Sequence, residues 1–126
     1  MTTLVSALLV ALGGALGALA RSGADALATR LGVAAPLGTL AINVVGSFAA
    51  GLVATLITDR MLLAEAARPF ILVGLLGGFT TFSALALQLT RMGEGGELLA
   101  LIVYAAGSIL LGVAAAAAGV ALARGL

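Results

Sequence analysis

Four residue types that carry much of protein chemistry are missing from this sequence: it has no cysteine, histidine, lysine or tryptophan. Without cysteine or histidine, disulfides, thiol nucleophiles and the usual zinc sites are excluded. Charged residues make up 9% of the 126 residues, against about 25% in soluble domains. No nucleophile–base pair stands out, so we do not expect an enzyme. The net charge of +1 gives no reason to expect nucleic-acid binding.

What the chain does have is long apolar segments, with 63% hydrophobic residues and a mean hydropathy of +1.29. Charges and turn residues divide it into four stretches, at about 2–31, 37–58, 69–90 and 98–123. Each is long enough to cross a bilayer as a helix. Because Arg21 follows the first apolar run where a cleavage site would need small residues, we interpret that run as a retained helix. We predict an all-α membrane protein with one four-span domain, surrounded by lipid in the plasma or inner membrane.

The third span contains an interruption, the sequence GLLGGFTTFS at 74–83. Three glycines and three hydroxyl residues are poor material for a regular helix. Broken backbone at membrane depth persists only where it is buried in protein or lines a wet cavity. Unwound carbonyls there can hold a cation, and half-helix N-termini can face an anion. The sequence therefore predicts a third helix broken at mid-membrane, with an ion site at the break.

Few polar side chains lie deep in the spans. Asn43 and Ser47 are four residues apart in the second span, and so are Tyr104 and Ser108 in the fourth, so each pair shares one helix face. These stripes fit either the walls of a narrow path or a set of interhelical hydrogen bonds. For Asn43 both interpretations stay open: a donor to a permeating anion, or a bridge between helices.

Acidic residues are absent from the span cores, whereas proton-coupled transporters usually need a buried carboxylate relay. This favours a passive route. A small four-span multidrug transporter is a weak alternative, because that class needs a glutamate in its first span and residues 1–20 contain no acid.

The arginines give no orientation by the rule that cytoplasmic loops are enriched in positive charge. Three fall on the side of the N-terminus and three on the other: Arg60, Arg68 and Arg124 against Arg21, Arg30 and Arg91. Either details of one loop decide the topology, or copies insert both ways and pair as antiparallel dimers. Four short spans could scarcely enclose a pore alone, so we expect a homodimer or larger oligomer.

Three motifs are specific in combination: GALGALAR at 14–21, GTLAINVVGSF at 38–48 and GGFTTFS at 77–83. Together with the length and the four-span layout, they resemble the Fluc/CrcB fluoride channels of microbes. The resemblance implies a passive fluoride-selective channel that exports fluoride and relieves its toxicity. It also implies an antiparallel dual-topology dimer with two pores and a central structural sodium ion (Na+).

The resemblance also assigns roles to individual residues. Backbone carbonyls of Gly77 and Thr80 would bind the sodium, and Arg21 would be structural. The fluoride pore would be lined by Asn43, Phe82, Ser83, Tyr104 and Ser108.

Three positions depart from the family pattern: Ala84, Leu85 and Gln88 stand where a threonine, a second phenylalanine and often a carboxylate are usual. A leucine has no quadrupolar ring edge to offer an anion, and alanine has no hydroxyl. Two interpretations follow. Either the homodimer conducts through a simplified pore, or the chain is one subunit of a heterodimer with a paralogue, in the extreme case a non-conducting one.

Overall fold

A computed structural model describes all residues, 1–126. The helices, in chain order, are α1 (Thr3–Arg30), α2 (Ala35–Thr58), α3 (69–79), α4 (Phe82–Glu94) and α5 (Leu98–Gly125), with a 3₁₀ turn at Glu65–Ala67. Four segments are long and apolar enough to cross a membrane, and α3 and α4 together form the third. The prediction of a multi-pass all-α membrane protein with a broken third span is confirmed.

Local sequence explains where these helices begin and turn. The Thr2 hydroxyl accepts a hydrogen bond from the Val5 N–H at 3.4 Å and caps α1. Pro36 stands in the first turn of α2, where a missing N–H has no cost. Gly32 and Gly96 adopt positive φ values of 71° and 75° after α1 and α4, a backbone conformation that favours glycine.

The third span is not one regular helix, because its backbone conformation changes along its length. Pro69–Leu76 is a π-helix, with the wider i→i+5 turn, and Gly77–Phe79 adds a single α-helical turn. The backbone is then extended at Thr80 (φ −80°, ψ 159°) and Thr81 (φ −150°, ψ 115°). Two consecutive β-branched residues favour that extension. The Thr81 hydroxyl restarts the helix by accepting from the Ala84 N–H at 3.2 Å.

The helices pack mainly as two pairs, α1 with α3 and α2 with α5, and α4 leaves α3 to lie against α5 and α2. Glycines mark the closest approaches. A Cβ at Gly13 or Gly17 would overlap backbone carbonyls of α3, and one at Gly51 or Gly119 would overlap carbonyls between α2 and α5. Close backbone contact of this kind is a common way to join helices in lipid.

Little of the single chain is buried, since only 13 of its 126 residues are shielded from solvent. Most of the large apolar side chains of α1 and α5 point outward. Lipid or a second copy of the chain therefore has to cover this surface.

Candidate ion site at the broken helix

Asn43 holds the break from the side of α2. Its Nδ2 donates to the Thr81 carbonyl at 2.9 Å, and its Oδ1 accepts from the Thr81 N–H at 2.8 Å. The side-chain amide thus pairs with Thr81 as a neighbouring peptide unit would, and it satisfies both backbone polar groups. One N–H of the amide is left for a further partner. Asn43 therefore bridges α2 and the third span, and it still has one N–H that could be donated to an anion.

Thr80 packs directly on α2 at Gly46, where an added Cβ would overlap the Thr80 methyl group. Its N–H and its hydroxyl both donate to the Leu76 carbonyl, at 3.0 and 2.9 Å. The Thr80 carbonyl itself accepts no hydrogen bond from the chain. The extended conformation of this residue therefore leaves one carbonyl free at the end of α3.

The Gly77 carbonyl has lost its usual helical donor. In a continuous α-helix the N–H of residue 81 would donate to it, but the Thr81 N–H points to Asn43 instead. Apart from its neighbours along the helix, a Cβ on Gly77 would have no atom of the chain within 4 Å, so the chain is open there. The two carbonyls that the resemblance assigns to sodium are thus deprived of their regular partners.

Oxygen ligands suit hard cations such as Na+. No three carboxylate, histidine or cysteine side chains come together anywhere in the chain as a metal cluster. A cation at the break would depend on backbone carbonyls, and the donor set of Gly77 and Thr80 is chemically suited to it.

Arg21 lies within α1 and not at its end, which for this chain is Arg30. Its Nε donates to the Gly78 carbonyl at 3.2 Å, the contact expected of a cation near a helix C-terminus. The sequence placed Arg21 within the first span, towards its far end, and the structure keeps it inside α1.

An open cavity of about 480 Å³ adjoins the break. Asn43, Gly77, Thr80, Phe82 and Leu85 are among its lining residues. Phe82 borders the cavity and is 80% exposed, so its ring is not part of the core of a single chain. Leu85, by contrast, is buried at 8% exposure. Residues assigned to the anion path and to the cation site therefore border one cavity.

A second polar cluster joins three helices beyond the break. The Gln88 amide of α4 donates to the Thr39 hydroxyl at 2.8 Å and accepts from the Tyr104 hydroxyl at 2.6 Å. Thr39 is buried and stands one turn before Asn43 on α2. Sequence reasoning missed Thr39 and treated Gln88 only as a lost carboxylate. The spacing of four that links Thr39, Asn43 and Ser47 was the available signal.

The remaining predicted pore residues are not among those that line the cavity at the break. Ser83 Oγ is 3.3 Å from the Thr81 hydroxyl. Ser108 Oγ is buried on α5 and makes no hydrogen bond, so its hydroxyl is free to bind a polar ligand. Tyr104, one turn earlier, reaches the break only through Gln88, Thr39 and the polar face of α2. A smaller cavity of about 210 Å³ borders Thr39, Gln88 and the departing position Ala84.

Residues 8–120 match the profile of the family described as CrcB-like protein, Camphor Resistance (CrcB). The chain belongs to the CrcB family. One relative, from Paracoccus denitrificans, is 49% identical over 117 residues, which are 93% of each chain. Another, from Rhizobium etli, is 45% identical over 124 residues, covering 98% of this chain and 99% of the relative. A third, from Thermus thermophilus, is 49% identical over 107 residues, covering 84% and 85%.

Each of these three CrcB relatives is named "Fluoride-specific ion channel FluC". The family is one of ion channels and not of enzymes or multidrug transporters. The resemblance found from the three sequence motifs is confirmed, because the family profile covers all of them.

Proposed function

We propose that this chain forms a passive, fluoride-selective channel that exports fluoride and so relieves its toxicity. The observation that carries the proposal is the pair of hydrogen bonds between Asn43 and Thr81. These bonds hold the extended backbone of the broken span beside a cavity, in a chain of the CrcB family. Full-length relatives named as fluoride channels support the choice of ion. No nucleotide-binding loop of the form GxxxxGK[ST] occurs, in keeping with passive flow.

Fluoride holds its water tightly, so a selective path has to replace that water with positioned donors. Asn43 retains one amide N–H, and the Ser83 and Ser108 hydroxyls are further donors. Phe82 offers positively polarised ring edges at the cavity. The Thr39–Gln88–Tyr104 cluster continues this polar lining away from the break.

The assembly we propose is an antiparallel homodimer of dual topology with a structural Na+ at its centre. Three features support it: the low burial of the single chain, the balance of three arginines against three on the two sides, and the open break. Two carbonyls from one chain are too few ligands to enclose a hard cation. A second copy would add its own Gly77 and Thr80 carbonyls, which makes four, and would cover the cavity.

The direct test is fluoride efflux from lipid vesicles that contain only this chain. We expect rapid efflux that chloride does not share. Empty vesicles and vesicles holding an Asn43→Asp variant are the controls, because a carboxylate at this position repels the anion. A Leu85→Phe variant should preserve or raise the efflux, since it restores a ring at the cavity. If the unmodified chain gives no efflux, but efflux appears when a paralogue is added, the active channel is a heterodimer and not a homodimer.

A further inference from the structure

The hydrogen bonds at the break sort its backbone carbonyls into two groups. Leu76 accepts from Thr80, and Gly78 accepts from Arg21. Gly77 and Thr80 are left without their regular donors, as is Phe79. Of these three residues only Gly77 and Thr80 line the cavity, so a cation that approaches from the cavity meets these two.

The decisive element of this arrangement is the Thr81 N–H. Only two acceptors compete for it: the Gly77 carbonyl, which a continuous helix would use, and Asn43 Oδ1, which it contacts at 2.8 Å. Each acceptor excludes the other, since the first needs helical backbone at Thr80 and the second is reached with the extended backbone that Thr80 adopts.

We propose that Asn43 is a positioning residue for the cation site as well as part of the anion path, because it takes the Thr81 N–H and thereby frees the Gly77 carbonyl. The inference rests on the proposed sodium site and deepens it. One amide then serves both ions: its oxygen keeps the cation ligand available, and its remaining N–H faces the anion. The two ion sites are coupled through this side chain.

The two halves of the amide can be separated by substitution. Asn43→Asp keeps an oxygen that accepts from the Thr81 N–H but removes the amide donor. Asn43→Leu is of similar size and removes both. Asn43→Ser also removes both functions, because the shorter serine side chain does not reach Thr81. This variant replaces Asn43→Leu if the leucine variant does not insert into the membrane as a folded protein.

The measurement is the thermal stability of the detergent-solubilised dimer at increasing Na+, with N-methylglucamine as the replacing cation. Fluoride efflux is recorded on the same preparations. We expect Asn43→Asp to lose efflux yet keep the sodium dependence of the wild type. We expect Asn43→Leu and Asn43→Ser to lose efflux and also to need about tenfold more Na+ for half-maximal stabilisation, the loss expected when one ligand is returned to a helical hydrogen bond.

The matched control is Thr55→Val, a buried threonine three turns along the same helix with no contact to the break. It should leave the sodium dependence unchanged. Wild-type sodium dependence in Asn43→Leu or Asn43→Ser would overturn the inference, and so would its loss in Asn43→Asp. If the stability of the wild-type dimer does not depend on Na+, the proposed sodium site is wrong. If the wild type gives no fluoride efflux, the proposed channel function is wrong. The first outcome is seen in thermal stability and the second in efflux, so the two can be told apart.

Discussion

The two halves of the third span, α3 and α4, are held in the protein by different means. Apolar α3 lies against α1 through glycines, backbone against backbone. The second half, α4, is amphipathic, and its Gln88 forms side-chain hydrogen bonds to Thr39 of α2 and Tyr104 of α5. The first half ends at the break, and the second half carries Phe82 and Ser83 of the proposed anion path. Substitutions in α3 should therefore affect folding first, and substitutions in α4 transport first.

The largest effect is expected from Gly78→Ala in α3. A Cβ at Gly78 would lie 2.5 Å from the Gly14 carbonyl oxygen, so α1 and α3 would have to separate. Overpacking of this kind costs about 1–3 kcal/mol. We expect a clear fall in the thermal unfolding temperature and in the yield of folded protein.

The adjacent Gly77→Ala variant is the matched control, because nothing lies within 4 Å of its Cβ in the chain. It should leave the stability of the single chain intact, so any effect it has concerns the dimer or the ion. Equal destabilisation by both alanines would contradict the assignment of Gly78 to helix packing.

In α4 the largest effect should come from Phe82→Ile. The ring is 80% exposed at the cavity, so its replacement removes no core packing from the chain. Loss of the ring edges should lower fluoride efflux about tenfold, which corresponds to about 1.4 kcal/mol in the barrier. Vesicle efflux and thermal unfolding measured together test this. A variant that unfolds earlier but conducts normally would reverse the division between α3 and α4.

Much of this division could be predicted from the sequence, because it depends on composition. The GG and TT pairs at 77–81 conflict with a regular helix whatever surrounds them, so the break was predictable. That Asn43 lies opposite Thr81 was not, since residues 38 positions apart meet only through the packing of α2 on the span.

The partner of Arg21 was not predictable for a similar reason. The resemblance implied a structural role for this residue, but the Gly78 carbonyl that accepts from its Nε lies 57 positions away in the chain. Gln88 shows the limit of reasoning from residue type alone. From the sequence it was only a departure from a carboxylate, yet an amide can donate and accept at once, and Gln88 thereby links Thr39 to Tyr104.

A smaller effect is expected from Gln88→Leu, which leaves the buried Thr39 hydroxyl and the Tyr104 hydroxyl without their shared partner. We expect a loss of about 0.6–2 kcal/mol in stability and a partial loss of efflux. Gln88→Glu is the matched comparison, because a carboxylate can accept from both hydroxyls. Efflux retained by glutamate and reduced by leucine would show that the bridge matters and not the charge. If leucine has no effect on either measurement, α4 is not held by this cluster.

The smallest effect concerns the pair α2 and α5, against which α4 rests, at the end of α5 remote from Tyr104. The hydrogen bond from Arg124, with help from Thr58, lowers the pKa of Asp59 below its ordinary value. A lowered pKa contributes stability that is present above the unfolded value of about 3.9 and is lost as the pH falls through the folded value. Asp59→Asn should therefore lower the unfolding temperature slightly at pH 7, and the difference from the wild type should vanish once the pH falls well below about 3.9.

The effect should be small because both partners are largely exposed, and it should shrink further at high ionic strength in potassium chloride. Glu94→Gln is the control: this carboxylate ends α4, makes no ion pair, and should change nothing at either pH. The pair lies about 30 Å along α5 from Tyr104. Asp59→Asn should accordingly leave efflux and the sodium dependence of the dimer as they are. If it weakens either, the α2–α5 pair does not act as a fixed support for α4, and the separation of the two halves of the third span is less complete than their packing indicates.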